Sequence, residues 1–307
     1  MKMKIDLVYL WVDGSDPNWL KKKQLYMDKK MNTTGRYQNN QELKYSLRSV
    51  EKHLPWIRKI FIVTDHQTPV FLDTSHPKIE IVNHTEIIPK EILPTFNSSL
   101  MEYFVYKIPD LSEHFLFAND DTFIHADLEP SFFFKEGIPL MRMKYDPLIR
   151  YQIQFKKALN IPINNYRLAI ENAYKLFKKK FDLFYPIIPH HNIDACLKSD
   201  YKAVIEDVFK QELEAVFLNR FRQASDIHRI LINYYAITRK RGILTYVDRK
   251  ESCRIRVHKT DYQKYITKYN PKLFCLNDTE HATDAHRAHI EPFLKKLYPV
   301  KSVFEKD

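Results

Sequence analysis

Ile5-Asp6-Leu7-Val8-Tyr9-Leu10-Trp11-Val12 runs straight into Asp13-Gly14-Ser15-Asp16-Pro17. A short apolar run, rich in β-branched and aromatic residues and halted by turn formers, predicts a strand buried on both faces. The turn that halts it is acidic. The same pattern recurs downstream: Lys59–Thr64 ends at Asp65, Ile79–Val82 forms a third short run, and Phe115–Ala118 ends at Asn119-Asp120-Asp121. Stretches with helical spacing lie between these runs. They are Asn18–Lys30, Glu42–His53 with Leu43, Leu47 and Val50 on one face, and Ser99–Ile108 behind a capping Ser98. Met31–Asn40 and Pro89–Asn97 read as loops. Strands alternating with helices predict an α/β fold built on a mainly parallel sheet, a Rossmann-like core.

From about Asp146 to Lys240 the pattern turns helical, including Ile170–Lys180 and Val204–Phe221. Leu244–Val247 and Arg254–Val257 return as strands, and Glu291–Leu297 is the last predicted helix. The expected organisation is one functional unit in three parts. Residues 1–145 form the N-terminal part of the catalytic core, 146–240 a mainly helical insertion contributing to the active site, and 241–307 a segment returning to the core. A chain of 307 residues is long enough to bury such a core.

Only four glycines occur, Gly14, Gly35, Gly137 and Gly242, and no two share a loop. That excludes glycine-rich dinucleotide and P-loop turns, which need close glycines to bring backbone N–H groups against phosphate. Phosphate must therefore be held by side chains, helix N-termini or a metal. The net charge of +11 suits an anionic partner. The lysine runs are short and interrupted by acids, so no continuous basic arm exists and no nucleic-acid partner is expected. Cys196, Cys253 and Cys275 show no paired spacing, which excludes a zinc finger and a disulfide framework. No segment approaches the roughly 18 apolar residues of a membrane span. The expected location is cytoplasmic, with peripheral contact at the inner face of a membrane through basic charge.

Three predicted strands end in acid: at Asp13, at Asp65 and at Asp120-Asp121. Ligands of open α/β sheets sit beyond the carboxyl ends of the strands. Carboxylates gathered there suit a hard cation that keeps company with substrate phosphates. Adjacent carboxylates such as Asp120 and Asp121 repel unless a cation compensates them.

Read together, the segments resemble the Stealth family of bacterial capsular polysaccharide phosphotransferases, relatives of the animal lysosomal-enzyme GlcNAc-1-phosphotransferase. Residues Ile5 to Pro17 resemble its first conserved region. Glu42-Leu43-Lys44-Tyr45-Ser46-Leu47-Arg48-Ser49-Val50, Pro55 to Ile60, Ile62 to Asp65, Leu93-Pro94-Thr95-Phe96-Asn97-Ser98, Glu102 and Phe117 to Asp121 resemble the second. Pro189-His190-His191 through Phe221-Arg222, then Asn233 to Ala236, resemble the third. Cys275-Leu276-Asn277-Asp278, Tyr298-Pro299 and Ser302 to Glu305 resemble the fourth.

The resemblance implies a GT-A-like nucleotide-sugar core and transfer of a sugar-1-phosphate from a UDP-sugar to a hydroxyl of a growing polysaccharide or glycolipid, releasing UMP. It implies catalytic roles for Glu102, Asp121, a histidine of the His190-His191 pair, and Arg222. Substrate contacts are expected from Asp13, Arg48, Asp65, Asn97, Ser98 and Asn277. Mg²⁺ or Mn²⁺ is expected on Asp120, Asp121 and Asp278. Physical chemistry agrees with these roles. Guanidinium forks of Arg48 and Arg222 match phosphoryl oxygens, and a histidine or Glu102 can accept the acceptor's proton. The alternative is a GT-A-type glycosyltransferase that attacks the anomeric carbon and releases UDP.

Overall fold

The computed structural model describes residues 3–27, 39–279 and 281–306. The end of the Asn18–Lys30 stretch, and the Met31–Asn40 loop up to residue 38, lie outside the described residues. Across the central sheet the strands run in the order Ile79–Asn83, Ile60–Thr64, Ile5–Leu10, His114–Asn119 and Asp194–Leu197. The first four are parallel, and the last pairs antiparallel with His114–Asn119. The fold is α/β with a mainly parallel sheet. Alternate residues feed two apolar layers: Val8, Phe61 and Phe117 face one, while Leu7, Tyr9, Ile60 and Ile62 face the other. Burial on both faces is why these strands read as continuous apolar runs.

Asp6 is the one acid within the first strand, and it is fully buried. Both its oxygens take the Arg58 fork, at 2.8 and 2.7 Å, and it also accepts from the backbone N–H of Ser112 at 2.7 Å. That pairing ties together the entry ends of three adjacent strands. At the exit ends, Leu10 is level with Val63 on one side and Asn119 on the other. Chain order reverses around Ile5–Leu10, which has the second strand on one flank and the later His114–Asn119 on the other. At such a switch point the crevice outside the carboxyl edge is where open α/β sheets take their ligands, and the acidic turns after Leu10 and Asn119 border it.

The Glu42–His53 helix has the predicted bounds. Its Ser46 hydroxyl links the Tyr9 hydroxyl, at 2.7 Å, to the carbonyl of Thr122, at 2.6 Å. The second turn of this helix is thereby pinned beneath the acidic turn. The predicted Ser99–Ile108 helix is an α-helix over Ser98–Phe104 followed by a 3₁₀ turn over Val105–Lys107. Asn97, not Ser98, occupies its N-cap position.

The structure adds strands that periodicity missed. Residues 146–240 are not wholly helical, since Asp194–Leu197 completes the central sheet and Ile187–Pro189 pairs with Ile138–Tyr145. These are three- and four-residue strands, too short to show alternation. Leu273–Asn277 lies between Ser252–Arg256 and Thr122–Ile124 in a small sheet that carries the C-terminal region back to the acidic turn. All three cysteines are buried and free.

Candidate active site

Asp120 and Asp121 occupy the two-residue turn between His114–Asn119 and Thr122–Ile124. Asp120 is pushed well above the carboxylate range by burial first, then by the charges of Glu42 and Asp121. Glu42, at the start of its helix, is 5% exposed and accepts hydrogen bonds from the Asn40 backbone N–H and side chain, both at 2.7 Å. Burial raises its carboxyl to about 7, and Asp121 adds to the rise. Three carboxyl groups thus press on one another at the crevice. Glu42 had no motif to announce it, because a first-turn glutamate is ordinary helix chemistry.

The histidine pair separates. His191 Nε2 is 3.0 Å from each carboxylate oxygen of Asp121. His190 instead contacts the Ser252 hydroxyl at 3.1 Å. Burial alone would lower His191, but the charge and hydrogen bond of Asp121 more than reverse this, and its pKa is raised. His190 has no such partner. Burial, then the charges of His191 and Arg254, lower it to about 4, so it is neutral at pH 7.

Glu102 faces inward from the Ser98–Phe104 helix and takes the Arg229 Nε at 2.6 Å. The other arm of Arg229 bonds Asp194, three residues beyond His191, and its guanidinium lies 4.6 Å from the centre of the Phe117 ring. Burial raises Asp194, with Arg229 opposing. Arg229 is therefore the bridge that joins the Glu102 helix to the Asp194–Leu197 strand that follows His191. Neither Arg229 nor Asp194 was singled out from sequence. A lone arginine just before the apolar run Ile230–Thr238 was the available signal.

Arg222 donates to the Ser98 hydroxyl. Its loop is clipped in place by Asn97, whose side chain donates to Asp226 at 2.9 Å and to the Asn219 carbonyl at 3.2 Å. Phe96 stacks on Phe221 with ring centres 5.2 Å apart, and its N–H bonds the Arg220 carbonyl at 2.8 Å. Asn97, expected to touch substrate, is 1% exposed and braces the arginine loop instead.

Several expected ligands are committed elsewhere. Arg48 spends its fork on Glu305, at 2.7 and 2.8 Å, and its third nitrogen on the Tyr298 carbonyl. It fastens the C-terminal segment with three of its five N–H donors. Asp278 is held by Arg287, at 2.7 and 3.3 Å. Asp65 pairs with Lys22 at 2.6 Å. Asp13 accepts from the Ser15 N–H and hydroxyl and from Asn39, bonds that outweigh its burial and lower its pKa. Asn277 ends the strand whose preceding residue, Leu276, donates its N–H to the Asp121 carbonyl at 3.0 Å, so it borders the site. Arg254 reaches the same region from the neighbouring strand, level with Cys275, and makes no ion pair among the described residues.

No group of three or more His, Cys, Asp and Glu among the described residues forms a metal cage. Mg²⁺ does not require one, since it commonly takes one or two carboxylates and completes its shell with substrate phosphate and water. The mutual repulsion of Glu42, Asp120 and Asp121 fits a site for a cation.

Comparison with known proteins adds family to geometry. Three Stealth protein models match: conserved region 1 over residues 3–31, conserved region 2 over 36–140 and conserved region 4 over 265–307. The capsular polysaccharide phosphotransferase fcs1 of Haemophilus influenzae is 35% identical over 90% of this chain and 78% of its own. The capsular polysaccharide phosphotransferase WcwK of Streptococcus pneumoniae is 31% identical over 100% of both chains. Among solved structures, the galactosyltransferase LgtC with donor and acceptor sugar analogues gives a TM-score of 0.49 at 12% identity, covering 97% of each chain. With three of its conserved regions in order and relatives matching nearly end to end, this chain belongs to the Stealth family and is an enzyme of the transferase class.

Proposed function

We propose that this enzyme transfers a sugar-1-phosphate from a UDP-sugar to a hydroxyl of a capsular or surface polysaccharide, forming a phosphodiester and releasing UMP. The observation that carries the reading is the meeting of Asp121 with His191 at the switch point, together with the Arg222–Ser98 bond, in a chain alike throughout to capsular polysaccharide phosphotransferases. Phosphoryl transfer asks a protein mainly for positioning and charge neutralisation. Arg222 presents a planar fork to the phosphoryl oxygens, oriented by Ser98 and by the Asn97–Asp226 clip. His191, made more basic by Asp121, takes the proton of the acceptor hydroxyl as its oxygen bonds to the phosphorus bearing the sugar. The bond from that phosphorus to the UMP oxygen breaks, and UMP carries away the electron pair. Glu102 is occupied by Arg229, which suits it to holding the segment from His191 to Asp194 in place rather than to accepting the proton. A Mg²⁺ or Mn²⁺ ion, held by Asp120 and Asp121, supplies the remaining neutralisation of the donor diphosphate when bound.

The test is chromatography of the nucleotide product, with phosphorus NMR of the acceptor product, after incubation with a panel of UDP-sugars and Mg²⁺. UMP and a phosphodiester are expected. UDP alone, with no phosphorus in the sugar product, makes the enzyme a glycosyltransferase and ends this reading.

A further inference from the structure

The helix Ile149–Ala158 buries only Ile149 and Ile153, a single line one turn long. Its far side is apolar and open: Leu148, Tyr151, Phe155 and Leu159 are 58%, 69%, 64% and 54% exposed. At 3.6 residues per turn these four fall within a sector of about 80°. Exposed apolar residues scattered singly need no explanation, but a continuous stripe on one helix face marks an interaction surface. Tyr145 and Phe184, also exposed, extend the patch at its edges, with Arg150 5.2 Å from the Phe184 ring centre.

Charge identifies the occupant. Residues 144–180 hold nine lysines and arginines against two acids, Asp146 and Glu171, and so carry seven of the chain's eleven net positive charges. Lys156 flanks the stripe on its own helix, Lys144 is exposed just before it, and Lys178, Lys179 and Lys180 are exposed on the next helix, whereas Lys157 turns to the opposite side and pairs with Glu171 at 2.6 Å. A second copy of this chain would bring two such basic faces together, which like-charge repulsion opposes. An anionic lipid surface meets both features: the apolar face enters the acyl boundary and the flanking cations meet the headgroups. No helix of the described residues is long and apolar enough to cross a membrane, so the contact would be interfacial.

We propose that the Leu148–Leu159 face docks this enzyme on an anionic bilayer. Residues 159–164 connect the docking helix to Asn165–Phe181, whose Asn165 side chain donates to the Arg222 carbonyl at 3.0 Å. Next to it, the Tyr166 ring meets His228 edge-on at 5.2 Å, one residue from Arg229. The membrane face and the active site thus share one helical unit, which sets the crevice close to a lipid-borne glycan. That last consequence rests on the proposed phosphotransfer; the docking itself does not.

Flotation with phosphatidylcholine vesicles, with and without phosphatidylglycerol, tests it. The full chain is expected to float with the anionic vesicles at low salt and to be released as salt rises. Tyr151→Ser/Phe155→Ser, both exposed positions outside the catalytic machinery, should weaken flotation at least about tenfold while circular dichroism and turnover of a soluble acceptor stay unchanged. If phosphotransfer is the wrong reading, turnover fails in both proteins and flotation still reports on docking. Absence of flotation, or equal flotation of the double variant, overturns the proposal. Self-association in sedimentation velocity that the double variant abolishes, without vesicle binding, assigns the face to a second copy and overturns it too.

Discussion

His191 Nε2 stands 3.0 Å from both carboxylate oxygens of Asp121, although the two residues are 70 positions apart. Antiparallel pairing explains the meeting. Asp121 follows the exit end of His114–Asn119, and His191 precedes the entry end of Asp194–Leu197, which pairs beside it with Phe117 opposite Asp194. The acid thereby serves two ends: it raises the basicity of the histidine and contributes charge to the carboxylate group at the crevice.

Asp121→Asn keeps the side-chain shape and removes one negative charge, so activity should fall by orders of magnitude while the melting temperature holds or rises slightly. Relief of repulsion with Glu42 and Asp120 offsets the weakened bond to His191. Steady-state rates and calorimetry measure both, and excess EDTA should abolish the activity of the unmodified enzyme. Full turnover in EDTA would falsify the metal requirement.

Arg222→Lys retains the charge and loses the planar fork. A donor aimed at the transferring group is worth about 2.7–4 kcal/mol in well-studied enzymes, so kcat should drop on the order of 100- to 1,000-fold. Turnover within a few-fold of the unmodified enzyme would reduce Arg222 to a brace for Ser98.

Arg48 and Glu305 should behave as a structural pair. Their side chains are 10% and 4% exposed, and burial leaves little solvent to replace a lost partner. Arg48→Ala is expected to cost about 3–5 kcal/mol by stranding a buried carboxylate, with the donor KM unchanged. A double-mutant cycle with Glu305→Gln in urea titrations reads the coupling. A raised donor KM in the folded Arg48 variant would return Arg48 to the substrate site.

His84 makes stability depend on acidity. It is 2% exposed, and burial lowers its pKa to about 4 despite Asp65 at 3.9 Å. With the folded pKa below the unfolded value near 6.5, the unfolded chain binds more protons between those limits. Stability from this residue is therefore full above about pH 6.5 and falls as pH drops toward 4, by about 3 kcal/mol in total. The drop in unfolding free energy across that window should be larger in the protein than in His84→Gln by this amount. Parallel curves would sink the assignment.

The amino-acid order alone determined the α/β class, the alternation of strand and helix up to Asn119, the bounds of Glu42–His53 and the family. Each follows from features local in sequence: apolar runs with turn formers, 3.6-residue periodicity, and short motifs in a set order. Three- and four-residue strands such as Asp194–Leu197 escaped because their side-chain pattern has no room to repeat. The tertiary structure alone decided the partners of the charged groups. Sequence placed Arg48 and Asp278 at the reacting phosphate and the metal, and the fold gives their forks and oxygens to Glu305 and Arg287. It brought Glu42 under Asp120, set Arg229 between Glu102 and Asp194, and chose His191 over its neighbour. Burial is written into hydrophobic pattern, residue by residue. An ion pair forms wherever folding leaves two charges within a few ångströms, and that proximity belongs to no single stretch of chain.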